Sequence, residues 1–186
     1  MGISDKRIGI IAEITKEYPN VGKTALMKFL FLLQEVYGVP LGYDFEIYTY
    51  GPYSSEVMEE IDWARHQNII SMEAVCYSTG YNGYNFRISD RTDKVIEEEK
   101  EFILSYENAI GEMLSLFGGK SAKELELLTT IIYLYQIYED NGWECNMKEI
   151  SENVREIKPH FDISTINKEY SFLEDQGILG RTSVEA

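Results

Sequence analysis

The amino-acid sequence predicts an α+β protein that is mainly α-helical and carries a small β-hairpin. Apolar residues recur every three or four positions through most of its 186 residues, which is the period of an amphipathic helix. Period-two alternation, typical of strands, is confined to short segments. With 44% hydrophobic residues, the chain can bury a core as one domain or as two small ones. We predict a winged-helix-like module in residues 1–90 and a helical module with a second helix-turn-helix-like outline, packed on the first, in residues 91–186.

Two helices are predicted at the start of the chain. The first runs from Ser4 to about Glu17, because three isoleucines are spaced three apart: Ile8, Ile11 and Ile14. It ends before Tyr18-Pro19-Asn20, a cluster of helix-breaking residues. The second runs from Gly22 to Tyr37 and is apolar around most of its surface, so we expect it to be largely buried.

A short strand and a third helix come next. Residues 45–50 alternate in the manner of a strand, which stops at Gly51-Pro52. The third helix is predicted to begin at Ser54 or Ser55 and to run to about His66. Glu56 then lies in its first turn, where a negative charge is favourable.

A β-hairpin is predicted after the third helix. Residues 69–77 look extended, residues 78–83 are rich in turn formers, and Tyr84, Phe86 and Ile88 alternate as a return strand. The order helix, helix, short strand, helix and hairpin is that of a winged helix, with the hairpin as its wing. This order is the basis for the predicted N-terminal module.

The C-terminal half is predicted to be helical. A long amphipathic helix spans residues 92–117 and ends at Gly118-Gly119. The Ser121-Ala122-Lys123-Glu124 sequence is a capping box that opens a central, largely buried helix. Asn146 to Glu149 repeats that pattern, and a last helix starts near Asp162 or Ser164.

The charge of the chain narrows the class of partner. Its 17 basic and 32 acidic residues give a formal net charge of −15. Nonspecific DNA binding requires Lys and Arg to displace counterions, so a surface this negative disfavours it without excluding a small basic patch. No apolar run reaches membrane-spanning length, and acidic residues come too early for a signal peptide. With two unpaired cysteines, Cys76 and Cys145, we expect a cytoplasmic protein without a membrane partner.

No catalytic, cofactor or metal site is predicted. Gly22-Lys23-Thr24 resembles the end of a P-loop, but that motif needs a glycine where Glu17 stands and an apolar strand before it. His66 and His160 have no second ligand at metal-binding spacing, and the two dispersed cysteines make a four-ligand zinc site a weak hypothesis. We therefore predict that the protein is not an enzyme.

The segment around Gly51-Pro52 is the strongest candidate for a binding site because Tyr48, Tyr50 and Tyr53 surround it. One interpretation is a rigid strand-to-helix corner with packed rings and bonded hydroxyls. The other is a recognition surface, since tyrosine is favoured at interfaces. The two interpretations are compatible. The tyrosines at positions 77, 81 and 84 raise the same question, and protein contact or packing is favoured over stacking on bases because acidic residues outnumber the nearby Arg87.

Three segments in this order resemble the YwgA-like uncharacterised prokaryotic proteins: Leu26–Gln34, Gly42–Phe45 and Tyr50–Val57. More distantly they are similar to the Panacea (SocA-like) domain, which has a similar helix and Gly-Pro turn in the same order. The resemblance covers roughly residues 20–70. It implies a protein that acts as antitoxins and proteolytic adaptors do, by binding other proteins. Lys28 and the Tyr50–Glu56 turn match the family pattern.

We therefore predict a non-enzymatic regulatory or adaptor protein, antitoxin-like, that binds a protein partner, most simply a basic one. The predicted binding residues are Lys28, Tyr48, Tyr50, Gly51, Pro52, Tyr53, Ser54 and Glu56. The alternative is a winged-helix DNA-binding transcriptional regulator. Nucleic acid is disfavoured because both candidate recognition helices, residues 56–66 and 164–176, carry more acidic than basic residues. The many large apolar residues also leave room for a homodimer interface.

Overall fold

The computed structural model describes residues 2–76 and 82–180. The protein is mainly α-helical with a small antiparallel sheet, as predicted. The helices are α1 (Ile3–Glu17), α2 (Lys23–Glu35), α3 (Ser55–His66), α4 (Thr92–Glu98), α5 (Lys100–Ser105), α6 (Glu107–Phe117), α7 (Ala122–Asp140), α8 (Met147–Ile157) and α9 (Ile163–Asp175). The strands are β1 (Val21–Gly22), β2 (Glu46–Tyr48), β3 (Gly51–Tyr53), β4 (Ile70–Cys76) and β5 (Asn82–Ile88).

The chain forms two compact units. The first consists of Met1–Phe45 and Ser54–Gly119, and the second of Glu46–Tyr53 and Lys120–Ala186. The β2–β3 hairpin therefore groups with the C-terminal helices although it lies between α2 and α3 in the sequence. The predicted division into domains 1–90 and 91–186 stays a prediction.

The first unit contains a three-stranded antiparallel sheet in the order β1-β5-β4. The predicted hairpin is confirmed as β4 and β5. Tyr77 and residues 78–81 of the predicted turn lie outside the described residues, while Asn82 and Gly83, which were predicted in the turn, belong to β5. The third strand is β1, in which Val21 pairs with Phe86, and the sequence analysis did not predict it. The reason is length, since a two-residue strand is too short to show alternation.

The helical core of the first unit centres on α2. Its side chains from Leu26 to Leu33 are all buried, which confirms the predicted buried helix. The prediction of one long helix over residues 92–117 is wrong, because the chain leaves the helical conformation at Glu99 and at Tyr106. The first break faces α1 at Gly9. A side chain at position 9 would not fit, because a Cβ added to Gly9 would lie 2.7 Å from the Glu99 Cβ. Glycine at position 9 thus allows α1 to approach Glu99 closely. The apolar pattern of residues 92–117 does not reveal this contact.

Glu99 provides a stability prediction because its carboxyl is buried at this break. Burial, and then the negative charge of Asp5, raises the pKa of Glu99 above its ordinary value of 4.5. A raised pKa means that the folded state binds the proton more tightly, so the ionised form is destabilising at neutral pH. We expect Glu99→Gln to raise the melting temperature at pH 7, by about 2–4 °C for each kcal/mol added to the free energy of unfolding. The gain should shrink as the pH falls towards 4.5, where the carboxyl becomes protonated in both states.

Thermal unfolding followed by circular dichroism at pH 7 and at pH 4 would measure this effect. Glu101→Gln is the matched control, because Glu101 is exposed and only two residues away. The same gain at both pH values, or in the control, would contradict the role of burial.

The second unit contains the three C-terminal helices and the β2–β3 hairpin, and the predicted helix starts in it are confirmed. The Ser121 Oγ accepts a hydrogen bond from the Glu124 amide while the Glu124 carboxylate accepts one from the Ser121 amide. The hydroxyl and amide of Ser121 hold the pKa of Glu124 below its usual range. The side chains of Asn146 and Asp162 cap α8 and α9 by accepting hydrogen bonds from the amides of Glu149 and Thr165, without the reciprocal bond. These caps could be predicted because they depend on neighbours three residues away.

Two features are absent from the part of the chain that the structure describes. Across residues 2–76 and 82–180, no helix is long and apolar enough to cross a membrane. The same residues contain no group of three or more His, Cys, Asp or Glu side chains that could hold a metal ion.

Candidate interaction surface

The segment that contains the three tyrosines is a β-hairpin, here called the tyrosine hairpin (Glu46–Tyr53). Its strands β2 and β3 pair antiparallel, with Tyr48 opposite Gly51 and a two-residue loop between them. The sequence predicted a strand followed by a corner into α3, and this is wrong because Gly51-Pro52 begins a second strand. Gly51 has a φ of 83°, which a glycine adopts without strain, so the chain can reverse there.

All three tyrosine rings of the hairpin are exposed to solvent. The exposed fractions are 67% for Tyr48, 60% for Tyr50 and 38% for Tyr53. The ring centroids of Tyr48 and Tyr53 are 5.6 Å apart, so these two rings are neighbours. Gly51 and Pro52 between them are buried. The hairpin therefore turns its backbone inward and presents a cluster of aromatic side chains outward.

A buried ion pair fixes the loop of the tyrosine hairpin. The Lys158 ammonium donates hydrogen bonds to the backbone carbonyls of Tyr48, at 2.7 Å, and of Thr49. It also lies 3.3 Å from Glu126 Oε1 on α7. Lys158 is 3% exposed and Glu126 5% exposed, so the charges are removed from water. Two donors of the ammonium hold the carbonyls of the loop in place, and the Glu126 carboxylate compensates the buried charge.

An open cleft of about 700 Å³ lies beside the loop of the hairpin. Its walls are formed by β2, the loop of the hairpin, the last residue of α8 and residues that follow it: Ile47, Tyr48, Thr49, Tyr50, Ile157, Lys158 and His160. His160 is half-exposed, and its Nε2 lies 3.3 Å from the same Glu126 oxygen that faces Lys158. That oxygen is within ion-pair distance of both side chains but accepts a hydrogen bond of good geometry from none of the described residues.

The predicted site residues fall into two groups. Tyr48, Tyr50, Gly51, Pro52 and Tyr53 lie together on the tyrosine hairpin, in the second unit. The other three belong to the first unit: Lys28, Ser54 and Glu56. Lys28 is 2% exposed on α2 and Ser54 is buried at the start of α3, so neither is accessible to a partner.

Sequence reasoning missed Lys158, Glu126 and His160. Lys158 is 110 residues from Tyr48, and no local spacing connects them. A signal existed for Glu126, because a carboxylate inside the apolar run from Leu125 to Ile132 requires a partner if that face is buried. The identity of the partner could not be deduced from the pattern.

A second buried network fixes the chain that leads to the tyrosine hairpin, within the first unit. The Arg7 guanidinium donates to the carbonyls of Leu41, at 2.6 Å, and Gly42, at 2.5 Å, and to Glu60 Oε1 at 3.4 Å. The same guanidinium lies 4.1 Å from the centroid of the Tyr43 ring. The Gly42-Tyr43 part of the family-like motif therefore has a structural role.

Tyr43 is the centre of this network. Its hydroxyl donates to Glu60 Oε2 at 2.6 Å, and its backbone amide and carbonyl bond the Gln34 side chain. Burial, and then the hydrogen bond to the Glu60 carboxylate, raises the pKa of Tyr43 well above its ordinary value of 10.0. The tyrosine is thus a neutral donor at every physiological pH.

We expect Tyr43→Phe to lower the free energy of unfolding by about 1.5–3 kcal/mol, the range for a hydrogen bond to a charged group. The change leaves the Glu60 carboxylate without its shortest donor. Urea denaturation would measure the loss, and Tyr84→Phe on an exposed ring is the control. A loss no larger than the control's would contradict the network.

The exposed face of α3 is acidic and carries an aromatic residue. Glu56, Glu59 and Asp62 face solvent together with Trp63, which is 50% exposed. The one arginine of this helix, Arg65, lies 3.5 Å from Asp62. A helix that enters the major groove places cations beside phosphates, and α3 presents carboxylates instead.

Comparison with known proteins assigns no family. No protein-family model matches the chain, and no curated protein matches it. The resemblance to the YwgA-like proteins thus stays a hypothesis that rests on the motif residues.

Proposed function

We propose that this protein is a non-enzymatic regulatory or adaptor protein, antitoxin-like in its mode of action, that binds a protein partner through the tyrosine hairpin. The observation that carries the proposal is the display of three exposed tyrosine side chains on a hairpin whose loop is bonded by Lys158 of the Lys158–Glu126 pair. Tyrosine is enriched among residues that dominate binding energy. A surface held in one conformation before binding loses little entropy when the partner docks.

Charge indicates the kind of partner. The chain carries a net charge of −15, and the lysine nearest the tyrosine hairpin is buried and neutralised. A basic partner would be attracted over a distance of about 8 Å at physiological salt, which accelerates encounter more than it raises affinity.

The part of the first unit within residues 1–90 is, in this proposal, a winged-helix-like module. Two observations support it: the element order α1-β1-α2-α3-β4-β5 and the strand order β1-β5-β4. The same order supports the alternative function, a DNA-binding transcriptional regulator, with α3 as the recognition helix. The carboxylates on the exposed face of α3 oppose that alternative, since they would lie against phosphates.

Site-specific photo-crosslinking in the source cell tests the proposed surface. A benzophenone amino acid at position 50 should give one discrete protein adduct, because Tyr50 is exposed on the hairpin. The same amino acid at position 84, an exposed tyrosine position on β5, is the matched control and should not give that adduct. Identical adducts at both positions, or none at position 50, would contradict the tyrosine hairpin as the binding surface.

A mobility-shift assay at low salt separates the two candidate functions. With DNA from upstream of the gene, we expect no retention that survives excess unrelated DNA, because the carboxylates on the face of α3 repel phosphates. Retention that is specific and lost in Arg65→Ala would favour the transcriptional regulator.

A further inference from the structure

The cleft beside the tyrosine hairpin has walls of two chemical kinds. Tyr48 and Tyr50 contribute aromatic rings that are more than half exposed, and Ile47 and Ile157 contribute aliphatic surface. Such walls suit a side chain with a long apolar stem and a flat charged head, because the stem packs on aliphatic groups and the head on ring faces.

The net charge of the chain, and not the residues that line the cleft, favours a cationic occupant. Among the described residues that line it, Lys158 carries the only permanent charge, and its ammonium is engaged by two carbonyls and the Glu126 carboxylate. No accessible lysine or arginine of these residues would bind or repel an entering ion. The chain as a whole is strongly negative, which disfavours an acidic occupant.

We propose that this cleft is the subsite for an arginine side chain on a basic segment of the partner. This inference rests on the proposed function and specifies the partner's chemistry. The guanidinium stacks on the exposed rings of Tyr48 and Tyr50, while the arginine stem lies along Ile157. Arginine is preferred to lysine because its planar head stacks on aromatic faces and is less strongly hydrated.

Titration of the full-length protein with a short peptide, acetyl-Gly-Arg-Gly-amide, tests the subsite. The matched peptide contains citrulline, which has nearly the same shape and no charge. Isoleucine methyl labels provide the readout by nuclear magnetic resonance. Ile47 and Ile157 lie in the cleft, while Ile3 and Ile88 are exposed elsewhere and act as internal controls.

We expect the cleft methyls to shift in a saturable way with the arginine peptide and the control methyls to remain unchanged. The citrulline peptide should bind about 10-fold more weakly, which is the scale of a cation–π contact. Tyr50→Ala should weaken binding of the arginine peptide, and Ile157→Lys should abolish it by placing a positive charge on the wall. Ile157 is the last residue of α8 and is exposed, so lysine is tolerated there.

Equal affinity for the two peptides, or no saturable shift up to the solubility limit, would overturn the arginine subsite. The outcome is separable from the proposed function. If a partner is captured at position 50 but the arginine peptide causes no response, the arginine subsite is contradicted and the proposed function is not. If the arginine peptide binds but no partner is captured at position 50, the subsite is supported and the proposed function is contradicted.

Discussion

Replacing Lys158 by methionine is expected to lower the free energy of unfolding by about 3–5 kcal/mol, the cost of breaking a buried ion pair from one side. The change leaves Glu126 as a buried carboxylate next to His160 alone. It also removes the donor to the carbonyls of Tyr48 and Thr49, so the loop of the tyrosine hairpin is no longer held. Urea denaturation followed by far-ultraviolet circular dichroism measures the loss.

A double variant separates the ion pair from the hydrogen bonds of the loop. Lys158→Met combined with Glu126→Leu removes both charges, and a buried pair replaced by apolar groups is often neutral in stability. We expect the double variant to recover most of the loss, while amide exchange in the hairpin loop remains faster than in the parent protein.

Lys100→Met is the matched control, because Lys100 and Glu97 form an ion pair with both side chains exposed, with the Lys100 ammonium 3.2 Å from Glu97 Oε1. Its effect should stay within about 0.5 kcal/mol, as for most surface changes. A single Lys158→Met variant as stable as this control would contradict the buried pair.

The second large effect is expected at Arg7. Arg7→Met should cost about 3–5 kcal/mol, because it leaves the mostly buried carboxylate of Glu60 without its cation and two backbone carbonyls without a donor. Arg7→Lys should give an intermediate loss, since an ammonium keeps the charge but cannot reproduce the fork of the guanidinium. Urea denaturation of the parent protein, Arg7→Lys and Arg7→Met under identical conditions would rank their free energies of unfolding.

Lys94→Met is the control for Arg7, since Lys94 forms an exposed i, i+4 pair with Glu98 at 3.6 Å. Exposed pairs of this kind contribute about 0.3–0.5 kcal/mol. An Arg7→Lys variant as stable as the parent protein would show that only the charge at position 7 matters. That result would contradict the hydrogen-bonding role of the guanidinium.

Local sequence patterns predicted the helices and strands that depend on neighbouring residues. The caps at Ser121, Asn146 and Asp162 were identifiable because each side chain bonds an amide three residues away. The buried character of α2 was equally visible, since its apolar residues surround the helix. Both are properties of short windows of sequence.

Features set by distant residues were not predictable in this way. Strand β1 forms only because Val21 meets Phe86, and the break at Glu99 lies where α1 approaches at Gly9. The tyrosines were identified from composition, but the lysine that holds their loop lies in a part of the sequence with no motif. The Lys158–Glu126 pair joins residues far apart in the sequence, so local patterns indicated the tyrosine segment and not the residues that hold its loop.

Binding of a protein partner by the tyrosine hairpin can be measured with the double variant Tyr48→Ala/Tyr50→Ala. Calorimetric titration gives the affinity of this variant for the partner captured at position 50. We expect at least about a 30-fold loss, equivalent to about 2 kcal/mol, as for interface residues that dominate binding. Tyr84→Ala, which removes an exposed ring outside the hairpin, should bind as the parent protein does. Unchanged affinity of a folded double variant would contradict binding by the tyrosine hairpin.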